Sequence, residues 1–492
     1  MRWIRYAAVL SLLVLVAGCG ESKDRAAEAE KIKQDLTAGL DVMFGKDKLK
    51  IVGYEKFEVV PDGDSYKATL SGIKIMPNEP QAPKLGDVTF NVEPKDEDKY
   101  AISNLMLPSG VDIALADGQG KARLEIGSQQ FSGTWSKALS GFLDSDALYK
   151  NVTLAADQGV KFVIAEATMK QTSSEKGAGV YDQTGNFALK DMTVNTPEGS
   201  ATIATITSTA DIKGASLADL VKFRDQFNAV MAASVENKPA DPAVVEALKG
   251  MKGFFKDYVG KGEAATIVFK DASGAEAFKM DKATFDGSWV GFDQPKSKLN
   301  FDLRFDGISA PAAAASPEMA MFGQFIPGKF GVGITIEDVP SSELWKAFVS
   351  VLATPQSDPM AMEQASGEAG QQIVQAAQQA GSTLKLNGWE FDSQGIKLNL
   401  GGSVKADTSA MMGAIASLNL DLVGFDTILG MAQMFGGGDP STTAPLETLK
   451  QLSNRTTNAE GQPLDSFAIE LANTGDVTVN GKPFNPMAMP AE

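Results

Sequence analysis

The feature that most restricts how this chain can fold is a two-residue alternation of apolar and polar side chains. Leu299, Phe301, Leu303 and Phe305 alternate with Asn300, Asp302, Arg304 and Asp306. Successive side chains on a strand point to opposite faces, so this stretch gathers its apolar residues only as a strand with one apolar and one wet face. The same period recurs in Phe330, Val332, Ile334 and Ile336, in Ile396, Leu398 and Leu400, and in Leu418, Leu420 and Leu422. Nearer the N-terminus it runs through Val88, Phe90 and Val92, and through Val160, Phe162 and Ile164. Clean alternation implies antiparallel sheets with one covered face. The turn Pro61-Asp62-Gly63-Asp64, between Phe57 and Val59 on one side and Tyr66, Ala68 and Leu70 on the other, predicts a hairpin. Asn480-Gly481, flanked by Val477-Thr478-Val479 and Lys482, predicts a second with a type I′ turn.

Helical spacing interrupts this pattern. Ile32, Leu36, Leu40 and Met43 predict an amphipathic stalk helix within 21–45 that packs onto the body. Asp241-Pro242 reads as N-cap and first turn of a helix to about Tyr258, and Asp358-Pro359 as those of a helix to about Ala380. Three strands run into short amphipathic helices, at 212–220, 339–345 and 422–429. Phe131-Ser132-Gly133-Thr134-Trp135 also parallels Phe285-Asp286-Gly287-Ser288-Trp289, which points to two related halves. The expected fold is mainly β with α insertions: curved antiparallel sheets, in two related halves, capped by short amphipathic helices. The expected divisions are a leader at 1–18, an N-terminus and stalk helix at 19–46, and a β-rich half at 47–213. A helical segment at 214–260 then precedes a second β-rich half, with helical insertions, at 261–492.

The leader carries its own signal. Arg2 and Arg5 precede an apolar run of ten residues, Ala7 to Val16, too short to span a hydrocarbon core that needs about 20. It fits the apolar region of an export signal. Val16-Ala17-Gly18-Cys19 resembles the lipobox of bacterial lipoproteins, aliphatic-small-small-Cys, position by position. That resemblance implies a diacylglyceryl thioether on Cys19 and an acylated α-amine, two or more chains being what durable anchoring needs. Cys19 is the single cysteine of 492 residues, so no intrachain disulfide forms. Gly20 and Glu21 follow without an aspartate, which resembles Gram-negative lipoproteins released to the outer membrane. The expected location is the periplasmic face of that membrane.

Composition narrows the chemistry. There are 62 acidic against 45 basic residues, for a formal net charge of −17. Nucleic-acid binding, which needs basic charge to displace counterions, is the reverse of this balance. The absence of histidine removes His-based triads, His metal sites and histidine pH switches. Ser71-Gly72-Ile73-Lys74 and Ser382-Thr383-Leu384-Lys385 match S-x-x-K, but in strand-like sequence rather than at a helix start. Asp62 with Asp64, and Asp96-Glu97-Asp98, read as solvated turns. Met-Ala-Met triplets at 319–321, 360–362 and 487–489 offer thioethers to a soft ion but read better as adaptable apolar contacts. Trp135, Trp289, Trp345 and Trp389 read as core or rim anchors. No catalytic, cofactor-binding or metal site is assigned; the one site residue is Cys19.

The last hundred residues carry a further resemblance. The strand pair within Ile396–Leu422, the Gly424-Phe425 helix and the closing hairpin from Gly475 to Pro483 resemble the C-termini of uncharacterised YdgA-like envelope proteins and, more loosely, the AsmA-type β-rich repeats. This implies a long curved β-sheet in the periplasm and a lipid-handling groove, and it brings no catalytic residues. The expected function is therefore a non-enzymatic, lipid-anchored envelope protein that binds lipid or another envelope component and meets the membrane through Cys19. Two alternatives stay open: a lipoprotein that scaffolds partners at the outer membrane, and a carboxylate-based hydrolase of envelope glycans.

Overall fold

The computed structural model describes residues 24–41, 44, 52–75, 82, 84–114, 120–177, 179–235, 238–251, 253–311, 325–355, 359–435 and 440–484. The leader, Cys19, Met43, Asp358 and the Met-Ala-Met triplets at 319–321 and 487–489 lie outside the described residues. The fold is mainly β, in antiparallel ladders with helices between them. The chain divides into two compact units, one reaching Ser173 and including Asn186–Leu189, the other comprising Ser174–Gly185 and the residues from Lys190 onward. The helical stretch expected between two halves, 214–260, lies inside the second unit.

The first unit opens with helix α1, residues 24–41. Its strands are β1 (Val52–Gly53), β2 (Lys56–Asp62), β3 (Ser65–Ile75), β4 (Lys84–Pro94), β5 (Lys99–Met106), β6 (Val111–Ala114), β7 (Lys121–Ser136), β8 (Gly141–Ala156) and β9 (Lys161–Gly177), whose last residues, from Ser174, count with the second unit. The predicted hairpin at Pro61–Asp64 joins β2 to β3, with Val59 opposite Ala68 and Phe57 opposite Leu70. Ile32, Leu36 and Leu40, three turns of one helix stripe, pack on Phe57, Leu70, Val88, Phe90, Ile102 and Trp135 in one buried cluster. Polar contacts along its flank fix the helix on the sheet. Tyr66 Oη donates to Glu28 at 2.5 Å and Tyr100 Oη to Asp35 at 2.7 Å. Lys137 Nζ lies 2.9 Å from the other Asp35 oxygen. Burial raises the Asp35 carboxyl, but the bonds from Lys137 and Tyr100 outweigh it and hold it below its ordinary value.

The second unit is a meander. It contains β10 (Val180–Thr196), β11 (Gly199–Ser216), β12 (Asp257–Asp271), β13 (Glu276–Val290), β14 (Ser297–Asp306), β15 (Lys329–Val339), β16 (Thr383–Asp392), β17 (Lys397–Ala406) and β18 (Ala414–Val423). It closes with β19 (Asn454–Thr457), β20 (Pro463–Leu471), β21 (Val477–Val479) and β22 (Lys482–Pro483). From β11 to β18 each strand pairs antiparallel with the next, and β18 then pairs with β20. The β21–β22 turn has φ of 51° at Asn480 and 74° at Gly481, the two left-handed residues a type I′ turn requires.

Helices enter at the strand ends where the sequence shows strands turning amphipathic. After β11 come α2 (Leu217–Val235) and α3 (Pro242–Lys249); after β15, α4 (Ser341–Leu352) and α5 (Pro359–Ala380); after β18, α6 (Phe425–Phe435) and α7 (Pro440–Leu452). Asp241 caps α3 as expected, accepting from the Ala243 amide at 2.8 Å. That helix ends at Lys249 rather than near Tyr258, because Gly250 caps it and Gly253 turns to φ 65°. Tyr258 belongs to β12.

Candidate functional site

The register of the second unit's sheet sorts its side chains into two unlike faces. Opposite residues on paired strands share a face. Gly287 stands opposite Gly260 on one side and Phe301 on the other, Phe301 opposite Ile334, and Ile334 opposite Leu386. The row continues through Gly402, Leu418 and Ile469. The next row on this face runs through Phe285, Leu303 and Val332, and then through Leu400, Leu420 and Phe467. From β12 to β20 neither row contains a charged residue.

The opposite face is a lattice of ions. Lys282 meets Glu263 at 2.6 Å, Arg304 meets Asp302 at 2.8 Å, and Lys385 meets Glu337 at 2.6 Å. The Asp302 bond is the chief cause of a raised Arg304 pKa, and the Lys385 bond holds the Glu337 carboxyl below its ordinary value.

Helices cover the apolar face at its two ends. At one end, side chains from α2, α3 and α4, including Phe223, Leu248, Trp345 and Val349, cluster with Phe254, Trp289 and Phe292. At the other, Phe425, Ile428 and Leu449 from α6 and α7 cluster with Leu398, Leu422 and Phe467. The middle is left open. Phe285 is 40% exposed and Phe301 41%, and their neighbours Leu303, Val332, Ile334, Leu386 and Leu400 are only half-buried. The covered face that alternation implies is therefore covered only at its margins.

Glycine shapes this lane. A β-carbon at Gly287 would come within 2.8 Å of the Phe285 ring, and one at Gly260 within 2.5 Å of the Tyr258 hydroxyl. The aromatic rings thus lie along their strands over missing side chains, instead of standing up from the sheet. Eight strands at about 4.8 Å spacing give the apolar lane a length of roughly 30–35 Å. That is close to the ~30 Å thickness of a bilayer's hydrocarbon core, two acyl tails end to end.

The residues singled out for chemistry fall elsewhere, whereas Trp389, opposite Leu400, and Trp289, two residues beyond Gly287, stand on the apolar face itself. Ser71 and Lys74 lie in β3, and Lys74 pairs with Glu55 at 3.2 Å. Ser382 Oγ donates to the Asp338 carbonyl at 2.8 Å while Lys385 is held by Glu337, so neither S-x-x-K lysine faces its serine as a base. Asp96 accepts from the Asp98 amide at 2.9 Å and pairs with Lys99 at 3.3 Å, a self-contained turn. Met360 is exposed at the start of α5. Trp289 Nε1 donates to Ser297 Oγ at 2.8 Å, Trp345 Nε1 to the Leu248 carbonyl at 2.8 Å and Trp389 Nε1 to the Gly333 carbonyl at 3.0 Å, so these three act as anchors. Among the described residues no group of three or more potential metal ligands converges, and no helix is long and apolar enough to cross a membrane. The sequence places Phe285 and Phe301 on strands, but only the register and helix positions identify them as the open part of an apolar face. No protein family, curated protein or solved structure matches this chain.

Proposed function

We propose that this is a non-enzymatic, lipid-anchored envelope protein, exported and held by acylated Cys19 at the periplasmic face of the outer membrane, whose second unit receives lipid acyl chains. The observation that carries the reading is the uncharged lane over β12–β20, open between two helical margins. An acyl chain suits it on physical grounds. The lane lies within the interior of the sheet, where strand amides already pair with one another, so an extended peptide laid across it would leave its own N–H and C=O groups unpaired, at a cost of several kcal/mol each away from water. A hydrocarbon tail has no such groups and gains about 25 cal/mol for each Å² of apolar surface buried. The ion lattice on the opposite face keeps that side hydrated, which restricts apolar ligands to one surface.

The test is native mass spectrometry of the protein purified without its leader, followed by titration with a fluorescent phospholipid. Co-purified lipid, and uptake that weakens on placing a charge at Phe301, supports the reading. A reproducibly empty protein that also takes up no labelled phospholipid overturns it. Crosslinking in cells that captures one stoichiometric protein at Phe285 and Phe301, with no lipid bound, would favour a scaffolding lipoprotein instead.

A further inference from the structure

The lane on the second unit has two chemically unlike ends. Carried one strand beyond β12, its two rows gain Ala210, opposite Gly260, and Ser208, opposite Gly262. From β13 to β20 neither row carries a hydroxyl. At the β11–β12 end there are two. Ser208 is exposed. Tyr258 starts one row away, opposite Trp289, but its ring lies along the strand and brings Oη over Gly260, where a β-carbon would meet it at 2.5 Å. Gly260 is buried beneath that ring, while Tyr258 keeps 36% of its surface in solvent. Gly260 stands opposite Gly287, over which the Phe285 ring lies, so the phenol oxygen and the tip of that ring occupy adjacent positions on the lane.

Neither the Tyr258 nor the Ser208 hydroxyl has a hydrogen-bond partner among the described residues, whereas Tyr66 and Tyr100 both donate to carboxylates. Water satisfies such a group while the lane is open. A hydrocarbon chain laid on the lane excludes that water, and the hydroxyl then needs an oxygen from the ligand itself. The two rows hold no lysine or arginine, so a carboxylate or phosphate set at this point would lose hydration without a counter-charge. An ester carbonyl carries no charge and accepts the one bond on offer.

We propose that Tyr258 Oη donates a hydrogen bond to the ester carbonyl of a lipid acyl chain, fixing that end of the chain over β11–β12 and directing the tail along Phe285 and Phe301 toward β18. This rests on the reading of the lane as an acyl-chain site. It adds the chemical group that the lane recognises and the direction in which the chain runs.

The experiment is calorimetric titration of the leaderless full chain with palmitoyl lysophosphatidylcholine and with its hexadecyl ether analogue, both below their micelle concentrations. The two probes differ only in the carbonyl. Wild type should prefer the ester about three- to tenfold, the scale of one neutral hydrogen bond. Tyr258→Phe keeps a ring over Gly260, so the unfolding midpoint and ether binding should stay unchanged within about twofold while the ester preference disappears. Phe301→Glu should weaken both probes by about tenfold or more. Equal binding of the two probes to wild type, or an ester preference that survives Tyr258→Phe, would overturn the role of the tyrosine and leave the lane standing. No binding of either probe to wild type, or binding of both that Phe301→Glu leaves untouched, would overturn the lane and this assignment with it.

Discussion

Phe285 and Phe301, on neighbouring strands of the second unit, meet edge to face with ring centres 5.6 Å apart, yet each keeps about two-fifths of its surface in solvent. Such a pair contributes about 0.5–1.5 kcal/mol beyond area burial. Two large rings held this way without a covering layer mark the surface on which the functional proposal rests.

The first prediction follows from their exposure. Phe301 buries about three-fifths of its surface, so Phe301→Glu should lower stability in urea by about 1–3 kcal/mol and leave the chain folded. Phospholipid uptake should fall tenfold or more, because the carboxylate would have to lose its hydration under an acyl chain. Paired measurements of the unfolding midpoint and of lipid titration check both halves.

The second concerns how α1 is seated. Gly39 faces the Trp135 ring so closely that a β-carbon there would overlap the indole. Ala for Gly in a helix interior ordinarily gains up to about 1 kcal/mol. Gly39→Ala should instead lose on the order of 1–3 kcal/mol, the usual range for overpacking a filled site. Chemical denaturation decides the sign, and a stabilised variant would refute the contact.

The third is a pH dependence. The folded-state pKa of Asp35 is depressed, so the unfolded chain binds its proton more readily and the contribution to stability is present above the ordinary carboxylate value. It is lost as pH falls from about 4 through the lower folded value. Asp35→Asn should cost about 1–2 kcal/mol at neutral pH, the scale of hydrogen bonds to a charged group, and should flatten the acid limb of the melting-temperature profile. Tyr100 gives the opposite slope. Burial and then Asp35 raise its pKa, so its contribution holds below about pH 10 and disappears as pH rises further.

The fourth addresses the tether. Cells grown on radiolabelled palmitate should label the wild-type chain, while Cys19→Ala should be unlabelled and should leave the membrane fraction, since no other cysteine can carry a thioether. An unlabelled wild type, or a Cys19→Ala variant that still sediments with membranes, would remove the anchor from the proposal.

Much of this architecture is legible in the residues. The β2–β3 hairpin, the alternating strands β14, β15, β17 and β18, the Asn480-Gly481 turn and the strand-to-helix junctions at Gly214, Pro340 and Gly424 each carry a local signal of period or turn chemistry. The α3 end was harder to place, because Phe254, Phe255 and Tyr258 continue an apolar pattern after Gly250 and Gly253 have already stopped the helix. The open lane leaves no local trace. Alternation says which side chains share a face, whereas what covers that face depends on helices from other parts of the chain. Gly260 and Gly287 look like weak points in strands, and only the rings lying over them explain their use.

The meander of the second unit also bears on the order of assembly. From β11 to β18 each strand bonds to the strand before it in the chain, and from β12 to β14 and from β16 to β18 it does so across a short connection, so these strands close onto an existing edge at little loop cost. A polypeptide emerging end-first can therefore zip up progressively. Three steps cross two helices each: β11 to β12, β15 to β16, and the last, where β20 reaches back to β18 past α6, α7 and β19. That closure gives the growing edge its last partner, and until it happens β18 remains a sticky template for another copy.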